Sequence, residues 1–570
     1  MSGSFSRLPS HDEDGRYYHN RESLDLTETG SYDAYRRKSV SESVASLIAG
    51  GDPDVNLGKE KENNSAPLRE SLKQYSTLVW WMLAMSLAIL YGGYDSAVLG
   101  TLNAVPAYQR DFGECCTWNE LKQKDEDLIP VFWLSIWDGI GPLGGIAGSA
   151  LGGWFLDRWG RRFCLMIGSM IGIGAILIFV LANMPANKDG KRIMILLGKV
   201  IQGFGLGIIK IETFTYMSEV IPVSLKGAVM SLVPIMTLLG QLIGAVIIFA
   251  VSGSDKSSAY TIAVASQWAL ATPPLILALI LPESPAFLLK VKKDPQGAQK
   301  SFSRLLGAKN DSRAAMLKLQ KTLEEEAKDS ARLSYLDCFN AANRRRTFIV
   351  MFAGSIEFFF GLALLSSVSY FLQMVGMDAS KSILFLIAGI VVGLIANMGS
   401  TWMVTHIGRR KLTITTLFIT SGLWAVMGFA GIKEYNFTPW LTGGICTLVI
   451  VVCGLGCWPA SYAIMGETSS VRLRSRSQAL GSLSANITTI AMNSVLPFFY
   501  NKDALDLRAK TGFLFTGLAA LGAVLTYFFV PELKGRTALE IDHLFEKGVS
   551  ARGSTGWRDT EGEQIPLRGA

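Results

Sequence analysis

Two stretches decide how this sequence is read: Gly153-Trp154-Phe155-Leu156-Asp157-Arg158-Trp159-Gly160-Arg161-Arg162, and its shorter echo Thr405-His406-Ile407-Gly408-Arg409-Arg410. Each follows an apolar run of about twenty residues, long enough to cross a hydrocarbon core of about 30 Å as a helix. Each places a glycine turn and paired arginines where such a helix leaves the membrane. The two copies stand at matching places in the two halves of the chain, and a matched pair constrains the fold far more than either copy alone.

Working outward, apolar runs of the same length recur. We place about twelve, near 78–100, 130–152, 163–184, 193–217, 228–251, 262–281, 347–371, 382–403, 411–431, 441–465, 477–499 and 512–530. A spanning segment must satisfy every backbone polar group internally, so runs of this length read as helices. Several hold more Gly, Pro and Ser than soluble helices tolerate, which is ordinary where membrane helices pack closely. Of the 570 residues, 49% are hydrophobic and 18% charged, which argues against a soluble multidomain protein. The predicted fold class is an all-α membrane protein with about twelve transmembrane helices in two pseudo-symmetric six-helix bundles.

The domain boundaries follow. Residues 1–76 form a polar tail without apolar periodicity, read as disordered and cytoplasmic. Residues 77–289 form the N-terminal bundle, 290–346 a cytoplasmic linker with short helices, 347–531 the C-terminal bundle and 532–570 a cytoplasmic tail. No apolar core follows Met1, so no cleavable signal peptide is expected and the first span serves as the insertion signal. The short loops carry nearly equal Lys and Arg on the two sides. The long loop from Lys290 to Arg346 is rich in both and assigns itself and both termini to the cytoplasm. The net charge of +7 is accounted for by these loops and needs no nucleic-acid partner.

The first quoted stretch is similar to the major facilitator signature GxxxDRxGRR. Met217-Ser218-Glu219-Val220-Ile221-Pro222, Pro282-Glu283-Ser284-Pro285 and Pro531-Glu532-Leu533-Lys534-Gly535-Arg536-Thr537 resemble the sugar porter motifs that close helices four, six and twelve. Ser334-Tyr335-Leu336-Asp337-Cys338-Phe339, Gly93-Tyr94-Asp95, Lys510-Thr511-Gly512-Phe513 and Glu540-Ile541-Asp542 with Leu544-Phe545-Glu546 resemble the fungal α-glucoside (maltose) permeases within that family. The resemblance covers about residues 78–548. It implies a monomeric plasma-membrane carrier that works by alternating access and takes up an α-glucoside or other sugar with a proton, without a cofactor. Two other readings stay open: a carrier of a non-sugar metabolite on the same scaffold, and a non-transporting sugar sensor, against which the short tail after the last helix argues. No nucleophile–base constellation or phosphate loop suggests an enzyme.

An ionisable group inside a span is costly and usually marks function. Asp95 stands alone in an apolar helix; a carboxylate partly withdrawn from water can take a proton and release it as a cavity alternates. The resemblance opposes it to a basic residue on the fourth helix, here Lys199, which lacks the planar fork of the family's arginine. Asp138, Lys210 and Glu212 are further charges in spans; the last two read as a local structural pair or snorkelling groups.

For a sugar, neutral amides and aromatic platforms give hydrogen bonds without strong charge. The resemblance places Gln241, Tyr462 and Asn486 in the substrate site. It also places Glu357 where the family has a glutamine, a departure that opens the choice of cargo. It assigns a cytoplasmic gate to Asp157, Arg158, Arg161, Arg162, Arg409 and Arg410 facing Glu219, Glu283, Glu467 and Glu532. Such pairs must be exchangeable for the bundles to part. Ala286, Thr405 and His406 depart from the family's usual gate residues. Asn436-Phe437-Thr438 is a candidate glycosylation site on the outer side, and Arg36-Arg37-Lys38-Ser39 a candidate kinase site. Seven cysteines give no metal or disulfide framework. Cys446, Cys453 and Cys457 read as packing residues, while Cys115 and Cys116 fall in an outer loop.

Overall fold

The computed structural model describes residues 72–557, apart from 120–123, most of 223–231, 308–311, 324–334, 470–472 and a few single positions. Most of the predicted N-terminal tail, with Arg36–Ser39, lies outside the described residues. The chain divides into two compact units, one of residues 79–281 and 325–570, the other of 1–78 and 282–324.

The larger unit holds the spanning helices: α1 (Ser76–Thr101), α2 (Val131–Trp159), α3 (Arg161–Leu181), α4 (Lys188–Val220), α5 (Leu232–Ser252), α6 (Ser257–Ala265 and Gln267–Ile280), α7 (in four pieces, Arg344–Gly354, Ile356–Phe360, Leu362–Ser366 and Val368–Met374), α8 (Ala379–Ile407), α9 (Arg409–Ala430), α10 (Thr438–Leu455 and Cys457–Thr468), α11 (Arg474–Tyr500) and α12 (Gly512–Phe529). The protein is an all-α membrane protein of twelve such helices, to which one antiparallel hairpin, β1 (Glu114–Asn119) and β2 (Lys124–Leu128), is added between α1 and α2. Its end of the helices is called the hairpin end below, and the end bearing Gly160 and Gly408 the motif end.

Nine of the twelve, among the described residues, are long and apolar enough to cross a bilayer by themselves. The other three are instructive. Helix α2 carries Asp138, Asp157 and Arg158, α11 is rich in Ser and Asn, and α7 is broken. These need neighbours to cover their polar groups, which a lone hydrophobic run does not. Large apolar side chains stand exposed elsewhere, such as Phe418 at 71% and Ile395 at 64%, as a surface facing lipid requires.

Close approach of backbones sets the packing. A Cβ at Gly203 would meet the Gly141 carbonyl oxygen at 2.1 Å, and one at Gly148 would meet that of Phe204 at 2.1 Å. Only hydrogen fits along this seam, so α4 lies directly on α2. The sequence reads residues 347–371 as one helix; the structure breaks it at Ser355, Gly361 and Ser367. Gly361 adopts φ +87°, a left-handed conformation with the Phe515 ring where a Cβ would stand. Helix α10 breaks at Gly456, with φ −127° and ψ −92°, a Thr416 methyl filling the space of its missing side chain.

After α12, a helix at Ala538–Glu546 packs Ile541, Leu544 and Phe545 against Ile349 and Ala353 of α7 and Ile464 of α10. Arg346 pairs with Asp542, and the Arg346 guanidinium lies 4.8 Å from the Phe545 ring centroid. In the smaller unit, short helices at Pro285–Lys290 and Pro295–Leu306 start on side-chain caps from Ser284 and Asp294.

Candidate functional site

The polar groups within the spans form two sets. In the first half, Asp95 is buried on α1. Gln202 on α4 donates from Nε2 to Asp95 Oδ1 at 2.9 Å and to the Tyr91 hydroxyl at 2.6 Å. Lys199, one turn away on α4, forms its salt bridge with Asp138 of α2, Nζ to Oδ1 at 3.3 Å. The sequence reading set Lys199 against Asp95; the structure gives the ammonium to Asp138 and the Asp95 carboxylate to an amide. The glycine seam explains this, since it brings α4 closer to α2 than the side-chain pattern reveals. A point-like ammonium then takes the nearer carboxylate, whereas a planar guanidinium fork can bridge two acceptors. Lys210 is exposed on the same helix, while Glu212 is buried, its carboxylate accepting from the Thr213 hydroxyl at 3.3 Å.

In the second half, the breaks in α7 and α10 present the second set. Glu357 Oε1 accepts from Trp458 Nε1 at 2.9 Å and from the Tyr462 hydroxyl at 2.9 Å. Trp458 also lies against Phe360, ring centroids 6.2 Å apart. A carboxyl acceptor is thus mounted among aromatic faces, a pairing suited to a hydroxylated ligand with an apolar face. Two residues predicted from the sequence, Glu357 and Tyr462, meet here. Gln241 and Asn486 do not join them through any contact described: Gln241 Nε2 reaches Ser96 Oγ at 3.4 Å, and Asn486 is exposed on α11. Helices α7 and α11 do touch close by, where the hydroxyls of Ser355 and Ser484 lie 2.6 Å apart.

At the motif end the two quoted stretches build one arrangement twice. Gly160 and Gly408 turn with φ of 98° and 100°. Arg161 donates to both oxygens of Glu219, at 3.1 and 2.5 Å, and to the Leu156 carbonyl at 3.1 Å. Arg409 donates to Glu467 at 3.2 and 2.8 Å and to the Val404 carbonyl at 3.3 Å. Arginine and glutamate stand 58 residues apart in both halves. Arg162 donates to the Leu279 carbonyl and Arg410 to that of Tyr527, 117 residues apart in both. Each Arg–Glu pair lies within one half, binding the third helix to the fourth or the ninth to the tenth. Glu532 accepts from the backbone nitrogens of Arg409, Leu533 and Lys534, filling the space left by Gly408. Asp157 and Arg158 are exposed, Arg158 lying over the Trp154 ring at 5.7 Å. Glu283, in the smaller unit, accepts from the Ser284 nitrogen at 3.0 Å.

Among the described residues, five hydrogen bonds clasp the halves at the hairpin end. The Gln109 amide donates to Gln373 Oε1 at 3.1 Å, and Gln373 donates to the Ala104 carbonyl at 2.7 Å. The Val131 nitrogen donates to Asp503 at 2.7 Å, Asn501 to the Ile129 carbonyl at 3.4 Å, and the Ser135 hydroxyl to the Ser494 carbonyl. Asn436 is exposed at this end, in the turn before α10, and the Thr438 hydroxyl accepts from the Tyr435 nitrogen at 3.0 Å. Cys446, Cys453 and Cys457 are buried free thiols, whereas the side chains of Cys115 and Cys116 lie outside the described residues.

Three site residues escaped the sequence reading: Gln202, Tyr91 and Trp458. Gln202 had a usable signal, one helical turn from Lys199 on an otherwise apolar helix. Trp458 had one too, four residues before Tyr462.

A family model described as "Sugar (and other) transporter" matches residues 81–545. The chain is 27% identical to the alpha-glucosides permease MPH3 of Saccharomyces cerevisiae over 541 residues, covering 93% of this chain and 88% of the permease. It is 29% identical to the MFS transporter fmqE of Aspergillus fumigatus over 465 residues, covering 81% and 84%. Among solved structures, the inward-open xylose transporter XylE of E. coli is similar in fold, with a TM-score of 0.63 at 19% identity, covering 82% of this chain and 99% of that one. With the family matched over most of its length and the motif end built twice, the chain belongs to the sugar (and other) transporter family of multi-pass membrane carriers.

Proposed function

We propose that this carrier is a proton-coupled symporter that takes up an α-glucoside or a related sugar across the plasma membrane. The observation that carries the reading is the division of labour between the halves. Buried ionisable groups (Asp95 and the Lys199–Asp138 pair) occupy the first half, and a carboxylate among aromatic donors (Glu357, Trp458, Tyr462) occupies the broken helices of the second. The first set suits proton exchange; the second suits hydroxyl binding beside an apolar ring face. Gln241 and Asn486 complete the sugar site once the halves move. The permease relatives favour an α-glucoside over a monosaccharide. The motif end is the cytoplasmic one, where the Arg161–Glu219 and Arg409–Glu467 pairs hold each bundle's gate helices, with Arg158, Arg162, Arg410, Asp157 and Glu532 around them. The clasped hairpin end faces outward, so this is a state that exchanges cargo with the cytoplasm. Asn436 on the outer side accepts a glycan. The carrier works as a monomer with bundles at 77–289 and 347–531, joined by the cytoplasmic linker 290–346.

A second reading is favoured by Glu357 itself. A carboxylate only accepts hydrogen bonds, so a cationic or donor-rich metabolite would also find a partner there.

Uptake of labelled maltose and glucose by cells lacking their own sugar carriers, followed against external pH, tests the proposal. Maltose uptake that rises as external pH falls, and is lost in Asp95→Asn, is the expected result. Absence of sugar flux at every pH, with the protein correctly at the cell surface, overturns it.

A further inference from the structure

We propose that Asp138 is a second proton-binding group of this carrier, and that it registers whether the hairpin end is closed. The inference rests on the symport reading above and adds to it a residue and a switch.

Asp138 lies inside the seam that joins the halves. Residues of α2 on both sides of it meet α11: the Ser135 hydroxyl bonds to the Ser494 carbonyl, and a Cβ at Gly139 would meet Ser494 Oγ at 2.2 Å. The same seam continues outward through Asn501 to Ile129 and Val131 to Asp503. The carboxylate, 18% accessible, therefore stands beside the contact of the two halves, and parting α2 from α11 would open it further on the hairpin side.

The charged and titratable groups around it come from four elements. Lys199 on α4 pairs with it at 3.3 Å. Tyr108, on the short helix Pro106–Phe112, and Tyr500 at the end of α11 lie within electrostatic range. From α1, Asp95 and Tyr91 are joined to α4 through Gln202, one turn from Lys199. Arg192, further along α4, is turned to Glu114 and Asp189. Lys199 thus pairs with Asp138 and lies within electrostatic range of Asp95 as well.

The switch follows from that arrangement. A proton entering from the hairpin-side solution binds an oxygen of Asp138 and cancels its charge, so the ion pair with Lys199 is lost. The ammonium keeps its own protons and moves to the Asp95 carboxylate, displacing the Gln202 amide. Once the clasp has closed over the protonated carboxyl and the motif end has opened, Asp138 gives its proton to that side and the pair with Lys199 re-forms. The O–H bond made on entry is the bond broken on release, so one proton crosses per cycle at this site.

The test needs no sugar, so its failure and that of the symport reading are distinguishable. Ser135→Cys and Ser494→Cys are introduced into the full chain with Cys115→Ser and Cys116→Ser, spin-labelled at one fixed pH, reconstituted in vesicles, and the distance between the labels is measured across a pH series. The ratio of close to separated labels should fall as pH falls, by up to about tenfold per unit where one proton is linked to opening. Asp138→Asn should flatten the curve and Asp95→Asn should leave it sloping. Asp138→Glu should keep the slope with a moved midpoint. A wild-type slope in Asp138→Asn, or a slope lost in Asp95→Asn, overturns the proposal. Should Asp138→Asn fail to fold, an unmoved midpoint in Asp138→Glu overturns it as well.

Discussion

The two halves of the carrier agree at the motif end and disagree within the membrane. At the motif end, glycine turn, arginine, glutamate and the carbonyl capping the second arginine repeat at equal sequence separations. Inside the spans nothing corresponds: one half has Asp95, Gln202 and the Lys199–Asp138 pair, and the other has Glu357 with Trp458 and Tyr462. The difference separates scaffold from chemistry. A paired charge at a helix end organises either bundle in the same way, so both copies keep it. A carrier needs only one place to handle protons and one to grip cargo, so the halves diverge where the path runs.

Four measurements press on this comparison. The largest effect is expected at the duplicated pairs. Arg161→Ala leaves Glu219 without its bidentate partner, at a cost of about 3–5 kcal/mol for breaking a largely buried pair, read as a lowered melting temperature in detergent. Arg409→Ala should lower it less. The second pair is more exposed, with side-chain accessibilities of 16% and 32% against 8% and 20%. Equal or reversed effects would break the ranking by burial drawn here.

Next comes the α2–α4 seam. Gly203→Ala forces a methyl against the Gly141 carbonyl and should destabilise by about 1–3 kcal/mol, with matching loss of any pH-dependent behaviour tied to Lys199. Gly153→Ala, where open space surrounds the added carbon, is the control and should melt as the wild type does. A smaller change is expected at the proposed cargo group. Trp458→Phe and Tyr462→Phe each remove one donor to Glu357, worth about 0.5–1.5 kcal/mol; the KM for transported sugar should rise several-fold while the melting temperature stays put. A change in kcat alone would place these rings elsewhere in the cycle. The smallest effect is at the hairpin end: Asn436→Gln should abolish a glycan-dependent mobility shift on gels and leave uptake intact.

Sequence alone determined the class of molecule. Repeated apolar runs of bilayer length admit only spanning helices, and the copies at Gly153–Arg162 and Thr405–Arg410 announce a duplicated bundle. Those are local properties, written in composition and short motifs, and the helix order agrees with them closely. The individual charges at Asp95, Lys199 and Glu357 also stood out, because an ionisable residue in an apolar run is conspicuous wherever it points. Partnership was not legible. Whether Lys199 meets Asp95 or Asp138 depends on how near α4 lies to α2, and that is set by hydrogens at Gly203 and Gly148 packing on distant carbonyls. Likewise, Trp458 joins Glu357 only because α7 breaks at Ser355 and Gly361 and α10 at Gly456, each break made possible by space that another helix leaves or fills. A pattern along one helix fixes which face is polar; the approach of its neighbours decides which polar groups meet.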